Sequence, residues 1–414
     1  LANAPVSTGF GGAGIGHGVK RSLSVFVTQF QRSLLSKMRD RGTLYSTLLE
    51  APLLALLIAV TLRSSKEGAY EFHTAPHIPA YLFLSATVAM FLGLTNSATE
   101  ILRDRPVLRR ERNSRPNPIL YVAAKFSALG LVAAGQCLAY TAIGHWFLEI
   151  RGTILSQWLW MTLTACTGTG LALLVSSMVR TERAALTAVP LLLVPQMLLA
   201  GALVPFREMN RGLFENSGTE RERGGTPFPS RFMPLRHAYE AMVVTQATRN
   251  PYEIERIRIQ RRVDSIKEVR HTLEPAVAER LQLMLEALLK LGAADAVTAA
   301  DASELAEYIT HLARGGTRLE IESIKVQSSN PDARPISEFF VNNRVDLLIR
   351  EAETFRVDYR NQEKPRHIFL GLKKPIGDEW IDTLDYDAGL LILVIAGAGL
   401  CTSAVLGIQN RRTR

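Results

Sequence analysis

Glu100-Ile-Leu-Arg-Asp-Arg-Pro-Val-Leu-Arg-Arg-Glu-Arg112 is the stretch that decides the fold. It is short and strongly charged, and it separates two long apolar runs, Leu82–Thr95 and Ile119–Ile143. A helix needs about 20 apolar residues to cross a hydrocarbon layer. Lys and Arg are retained on the cytoplasmic side, whereas Asp and Glu contribute little to orientation. A basic stretch between two such runs reads as a cytoplasmic loop in a polytopic membrane protein.

Working outward, six runs have the length and composition of membrane spans: Thr43–Leu62, Ile78–Ala98, Ile119–Ile143, Ile154–Val179, Ala184–Val204 and Ala388–Ile408. Before them, residues 20–41 alternate apolar and basic positions at helical spacing. Leu23, Phe26, Val27, Phe30, Leu34 and Leu35 fall on one face, with Arg21, Arg32, Lys37, Arg39 and Arg41 between or after them. That pattern predicts an amphipathic helix lying in the membrane interface. Basic residues cluster at Arg39 and Arg41, Arg103–Arg115, Arg180 and Arg183, and Arg411–Arg414, so both termini are expected in the cytoplasm of a cell (inner) membrane protein. The long segment 206–386 then falls outside.

Composition fits this reading. A mean hydropathy of +0.08 averages apolar spans with a polar block near the C-terminal end. The net charge of +9 would suggest nucleic acid in a soluble protein, but much of it sits at span ends and no nucleic-acid motif accompanies it. Cys137, Cys166 and Cys401 all lie in apolar runs, as small buried residues do. Residues 1–19 are Gly-rich and read as a flexible linker. Gly9-Phe-Gly11-Gly-Ala-Gly14 matches a dinucleotide-binding pattern, but no strand precedes it and no βαβ unit follows. No G-x-x-x-x-G-K-[ST] phosphate loop occurs, and His73 and His77 lack further ligands at metal-site spacing. No catalytic residue, cofactor or metal site is expected in this chain.

Ionisable residues within spans are functional candidates by default. Glu50 lies in the first span beside Pro52 and is within reach of a basic partner at the interface. Lys125 lies near the cytoplasmic end of the third, where its side chain can snorkel to water. Small residues recur at four-residue spacing in two spans: Thr164, Gly168, Ala172 and Ser176 in the fourth, and Gly399, Ser403 and Gly407 in the last. Such stripes permit close helix approach; packing within the chain is expected ahead of a dimer seam.

Segment 206–386 is polar. Asn210–Pro229 reads as a loop and Phe232–Ala247 as a short apolar-faced helix. Helices are expected over Tyr252–Leu291, Asp301–Ala313 and Ile336–Tyr359, and strands over Thr317–Gln327 and His367–Leu372. The expected fold is mainly α and polytopic. It has about six transmembrane helices, an N-terminal interfacial helix, and an extracytoplasmic α or α+β domain inserted before the last helix.

The order of elements and several stretches resemble the permease half of ABC exporters of the G subfamily and their bacterial relatives, the ABC type-2 permeases. The stretches are Ser97-Ala-Thr-Glu100-Ile-Leu, Leu108-Arg-Arg-Glu111-Arg and Tyr121-Val-Ala-Ala-Lys125. To these are added Val179-Arg-Thr-Glu-Arg-Ala-Ala, Pro195-Gln-Met-Leu-Leu-Ala-Gly201-Ala-Leu-Val-Pro205 and Phe232-Met-Pro-Leu-Arg-His-Ala-Tyr-Glu240-Ala. The likeness covers about residues 20–246 and 388–410; segment 206–386 is longer than in the family and carries no cysteine.

The resemblance implies two permease halves, as a homodimer, around a path for a lipophilic or amphipathic cargo, with a glycan as the alternative. It implies a nucleotide-binding domain, fused or separate, holding ATP and Mg. Membrane lipids and a periplasmic protein are further expected partners; nucleic acid is not. Residues 100–117 would be the coupling segment, through Glu100, Arg103, Arg109, Arg110, Glu111 and Arg112. Asn96, Val194, Gln196, Met197 and Leu203 would border the substrate path. Two rival readings are a membrane scaffold whose external domain binds envelope partners, and an intramembrane enzyme, for which the spans supply few reactive side chains.

Overall fold

A computed structural model describes residues 14–39, 41–63, 77–110, 117–214, 226–250, 369–376 and 379–412. In order these form α1 (Gly14–Arg39), α2 (Arg41–Leu62), α3 (Ile78–Ser97), α4 (Glu100–Arg110), α5 (Pro118–Phe147), α6 (Ile154–Met178) and α7 (Glu182–Leu198). After α7 come short 3-10 turns, then α8 (Pro234–Arg249), β1 (Lys373–Ile376), β2 (Glu379–Asp382) and α9 (Thr383–Arg412). The two strands pair antiparallel, Lys373 opposite Asp382. The helices and strands expected between Tyr252 and Tyr359 lie outside the described residues, as do His73, Glu111 and Arg112.

Local sequence explains the boundaries. The Asn117 side chain accepts from the Ile119 N–H and Pro118 takes the first position of α5, where its missing donor costs nothing. The Thr181 side chain accepts from Ala184 N–H at the start of α7. Only Ala98 and Thr99 separate α3 from α4, and Ala98 keeps helical dihedrals. The two therefore form nearly one rod, and the span that begins at Ile78 is long and apolar enough to cross as far as Leu108.

Among the described residues, five helices qualify by length and composition as membrane spans: α2, α3 with α4, α5, α6 and α9. The chain is a multi-pass membrane protein and mainly α. The expected fifth span, Ala184–Val204, is instead the 17-residue α7, which runs through Pro190 and Pro195 and ends at Leu198. It stops because the chain reverses at Gly201, whose φ of +77° suits only glycine and against which the Phe206 ring packs. At 1.5 Å per residue α7 is about 26 Å long, short of a full hydrocarbon crossing.

Packing is inverted relative to a soluble protein. Along α2 the alanines Ala51, Ala55 and Ala59 are fully buried, while Leu53, Leu57 and Val60 point outward. The innermost contact is between α3 and α6. A Cβ on Gly168 would stand 2.6 Å from the Met90 carbonyl oxygen, and one on Gly93 would run into the Ala165 carbonyl. The Thr164–Ser176 stripe is wholly buried in this seam. The stripe in the last span is different. Gly399 and Gly407 meet nothing across from them, whereas Ala398, on another face of α9, touches Gly170. Packing of α9 within the chain therefore uses Ala398, and of the Gly399–Gly407 row Ser403 is buried.

Of the strand expected at His367–Leu372, His367 and Ile368 lie outside the described residues, residues 369–372 are not strand, and β1 begins at Lys373. Phe369 and Leu370 are anchors instead. Phe369 stacks 4.6 Å from the Phe206 ring centroid, and Leu370 takes a positive φ that breaks extended pairing.

These contacts give a direct test. Gly168→Leu should abolish or sharply lower the thermal unfolding midpoint of the detergent-purified protein, since overpacking costs about 1–3 kcal/mol or more. Gly397→Leu, at a position with open space, should leave the midpoint unchanged. Equal effects at both positions would contradict the α3–α6 seam.

Candidate functional site

Two clusters of buried charge lie at opposite ends of the bundle. The first is built around α4. Lys125, on α5, is buried, and its Nζ lies 2.7 Å from Glu100 Oε2 and 2.8 Å from Asp104 Oδ2. Lys37, at the end of α1, reaches Glu100 Oε1 at 2.8 Å and donates to the Asn96 carbonyl at 3.0 Å. Tyr121 donates to Asp104 at 2.7 Å. Asn96 donates to Gln136 at 2.7 Å, and Gln136 donates to the Thr47 carbonyl on α2 at 2.6 Å. One knot thus joins α1, α2, α3, α4 and α5. Glu50 is half-buried on α2, almost one turn beyond Thr47.

The other face of α4 docks on α6. The Ser176 hydroxyl accepts from Ile101 N–H at 3.2 Å, and Arg105 donates to the Ser177 carbonyl at 2.9 Å. Gln409 of α9 donates to that same carbonyl at 2.9 Å. The outward side of α4 carries Arg103 and Arg110, both exposed; Arg103 forms a loose 3.7 Å pair with Glu182 at the start of α7. Such surface pairs contribute little, so this face is open to a partner.

Lys125 therefore does not snorkel. It turns inward because Glu100 and Asp104 stand one turn apart on α4 and both face α5. The expected coupling residues divide between two roles. Glu100 is interior and holds α4 in place, while Arg103 and Arg110 are surface groups.

The expected path residues divide as well. Asn96 belongs to the α4 knot. Gln196 lies toward the far end of α7, buried, where its Oε1 accepts from the Leu235 N–H at 3.3 Å and so caps α8. Met197 is half-buried, whereas Val194 and Leu203 are about half exposed at 51% and 55%. Asn96 and Gln196 therefore do not line one wall. The apolar residues Val194, Leu186 and Leu191 lie on the outward face of α7, and Leu203 is exposed beyond the Gly201 turn.

The second cluster, at the end that carries the hairpin, is one that sequence reading missed. Fourteen consecutive residues of α8, Pro234–Ala247, are buried. Within it Arg236 pairs with Glu240 at 2.8 Å, one turn on. Lys374 of β1 bridges Glu240 at 2.7 Å and Asp387 of α9 at 2.8 Å. Leu370 N–H donates to Glu240 Oε1 at 2.7 Å, and His237 Nδ1 meets Asp387 at 2.7 Å. Burial, then the neighbouring Arg236 charge, holds His237 below the ordinary imidazole range, while contact with Asp387 works the other way. A signal existed: Arg236 and Glu240 stand at i and i+4 in an apolar-faced helix, and Asp387 falls one residue before the run expected to span.

His237, Glu240 and Asp387 are the described residues whose ligand atoms approach metal-site spacing, all within 4.8 Å. The Lys374 ammonium already bridges the two carboxylates, and Arg236 completes charge balance. The arrangement therefore fits ion pairing better than a divalent cation.

If the α4 knot is one unit, its parts are not additive. Lys125→Met and Glu100→Gln should each cost about 3–5 kcal/mol in chemical unfolding, the range for a buried charge that loses its partner. The double variant should cost clearly less than the sum. Strict additivity would contradict the knot.

Comparison with curated proteins gives no match. Residues 24–216 match the family model described as ABC-2 type transporter, from the third turn of α1 to beyond the first 3-10 turns that follow α7. This stretch is an ABC type-2 permease domain, and such a domain works in general with an ATP-binding cassette.

Proposed function

We propose that this permease domain is the membrane half of an ATP-driven exporter and that α4 is the element through which an ATP-binding cassette moves it. The observation that carries this reading is the division of α4 into two faces. Its inward surface is bound to α1 and α5 by buried ion pairs and to α6 by hydrogen bonds to Ser176 and Ser177. The other presents Arg103 and Arg110 to solvent. A displacement applied to the exposed face is carried to α1, α3, α5 and α6 together, because separating them strands charge in a poorly hydrated interior.

On this reading the α4 end is cytoplasmic and the hairpin end extracytoplasmic, in keeping with the basic residues near α4. The amphipathic α1 lies at the cytoplasmic interface, and its exposed Leu23, Val27 and Leu35 support contact with lipid. Two copies of the chain face each other across the path. The outward apolar face of α7, including Val194, together with the exposed Leu203 beyond it, supports a lipophilic or amphipathic cargo. ATP and Mg belong to the cassette. Segment 206–386 stands on the exit side.

The test is ATP turnover by the reconstituted transporter, with its cassette, for wild type, Arg110→Ala and Glu111→Ala. Lipid- or cargo-stimulated turnover should fall several-fold in the variants while assembly and expression stay intact. Undiminished stimulation in both would reject α4 as the receiving element and favour a scaffold role.

A further inference from the structure

Lys374 and Lys373 are neighbours on β1 with opposite fates. Lys373 is about half exposed, at 53%, whereas Lys374 is 7% exposed. The Lys374 Nζ lies 2.7 Å from Glu240 Oε2, 2.8 Å from Asp387 Oδ1 and 4.7 Å from the centroid of the Tyr386 ring. A primary ammonium has three donors and no acceptor. Two carboxylates and an aromatic face are the partners that replace its hydration shell. Both carboxylates are fully buried, on two different helices, and are held by groups other than Lys374. Arg236 and the Leu370 N–H hold Glu240, and His237 holds Asp387.

The hairpin itself is slight. Two four-residue strands form no independently stable sheet. Its position depends on what it meets: Lys374 in the charge cluster, and Thr383, whose hydroxyl donates to the Gly371 carbonyl and whose N–H donates to the Leu372 carbonyl at 3.1 Å. Leu370, four residues before Lys374, lies beside the middle of α8 through its N–H bond to Glu240.

We propose that Glu240, Asp387 and the Tyr386 ring form an ammonium-binding site that the chain fills with its own Lys374, and that this seating latches the hairpin onto α8 and α9. The site is a self-liganded latch: the ammonium seated, the hairpin is docked; the ammonium withdrawn, two buried carboxylates lose their shared counter-charge and the hairpin loses its main anchor. This inference does not depend on the transport reading.

Chemical rescue tests it. Lys374→Ala in the full-length purified protein should lower the thermal unfolding midpoint by several degrees. Ethylammonium should restore it in a saturable way, by entering the space left by the side chain. Tetramethylammonium, a cation without N–H donors, should not, and Lys374→Met, which fills the space with an apolar chain, should not be rescued by either. If Lys374→Ala does not accumulate, Asp387→Asn keeps the shape and removes one counter-charge, and its midpoint should fall likewise. Wild-type midpoints in these variants, or equal rescue by tetramethylammonium, would overturn the ammonium site. Stabilisation of the wild-type protein by micromolar Zn2+ or Mn2+, lost in Asp387→Asn, would overturn it in favour of a metal.

Discussion

The Lys125 ammonium is buried, and it can remain so only while Glu100 and Asp104 stay beside it. Stranding one charge in such a place costs several kcal/mol, a large part of the net stability of a folded domain. That constraint fixes the relation of α4 to α5. Through Glu100 it extends to Lys37 and α1, and through Asn96 and Gln136 it reaches α2. Because α3 runs almost unbroken into α4, the same constraint sets how α3 meets the bundle. The glycine seam then joins α3 to α6 by backbone contact that leaves no room for sliding or repacking.

The hairpin end uses the same device with different elements. Buried opposite charges join α8 to β1 and α9, which lie far from it in sequence. Between the two clusters the bundle is held by small residues and by isolated hydrogen bonds such as Trp160 to Thr245 at 2.9 Å. Directional, costly-to-break interactions therefore sit at the ends, and shape-based packing lies between them. A bundle built this way bends least where charge is buried. α7, with three buried residues and two prolines, is weakly constrained by its neighbours.

Much of this was legible in the sequence because membrane spans are set by length and apolarity. Four of the six expected spans match long apolar helices closely, the second runs on into α4, and the fifth ends early at a glycine turn. The charged loop was legible as a helix boundary and as a candidate site. The partner of Lys125 was not. Spacing shows that Glu100 and Asp104 share a face of α4, but the element opposite that face is settled only by tertiary packing. The same limit explains the two small-residue stripes. Periodicity identified both, yet only the Thr164–Ser176 row is buried throughout, while Gly399 and Gly407 face open space. Lys374 and Asp387 were hidden for a further reason: their partners on α8 lie 134 and 150 residues away, beyond any local pattern.

The central claim is that α1 and α4 move as one body because buried ion pairs tie them together. Spin labels at Met38→Cys on α1 and Arg103→Cys on α4, both exposed positions, measure this by pulsed electron spin resonance in the complete transporter. The account predicts one narrow distance that is the same in the nucleotide-free and ATP-trapped states, and a broad distribution after Lys125→Met. A wild-type distance that shifts by several ångström between the two states would contradict it.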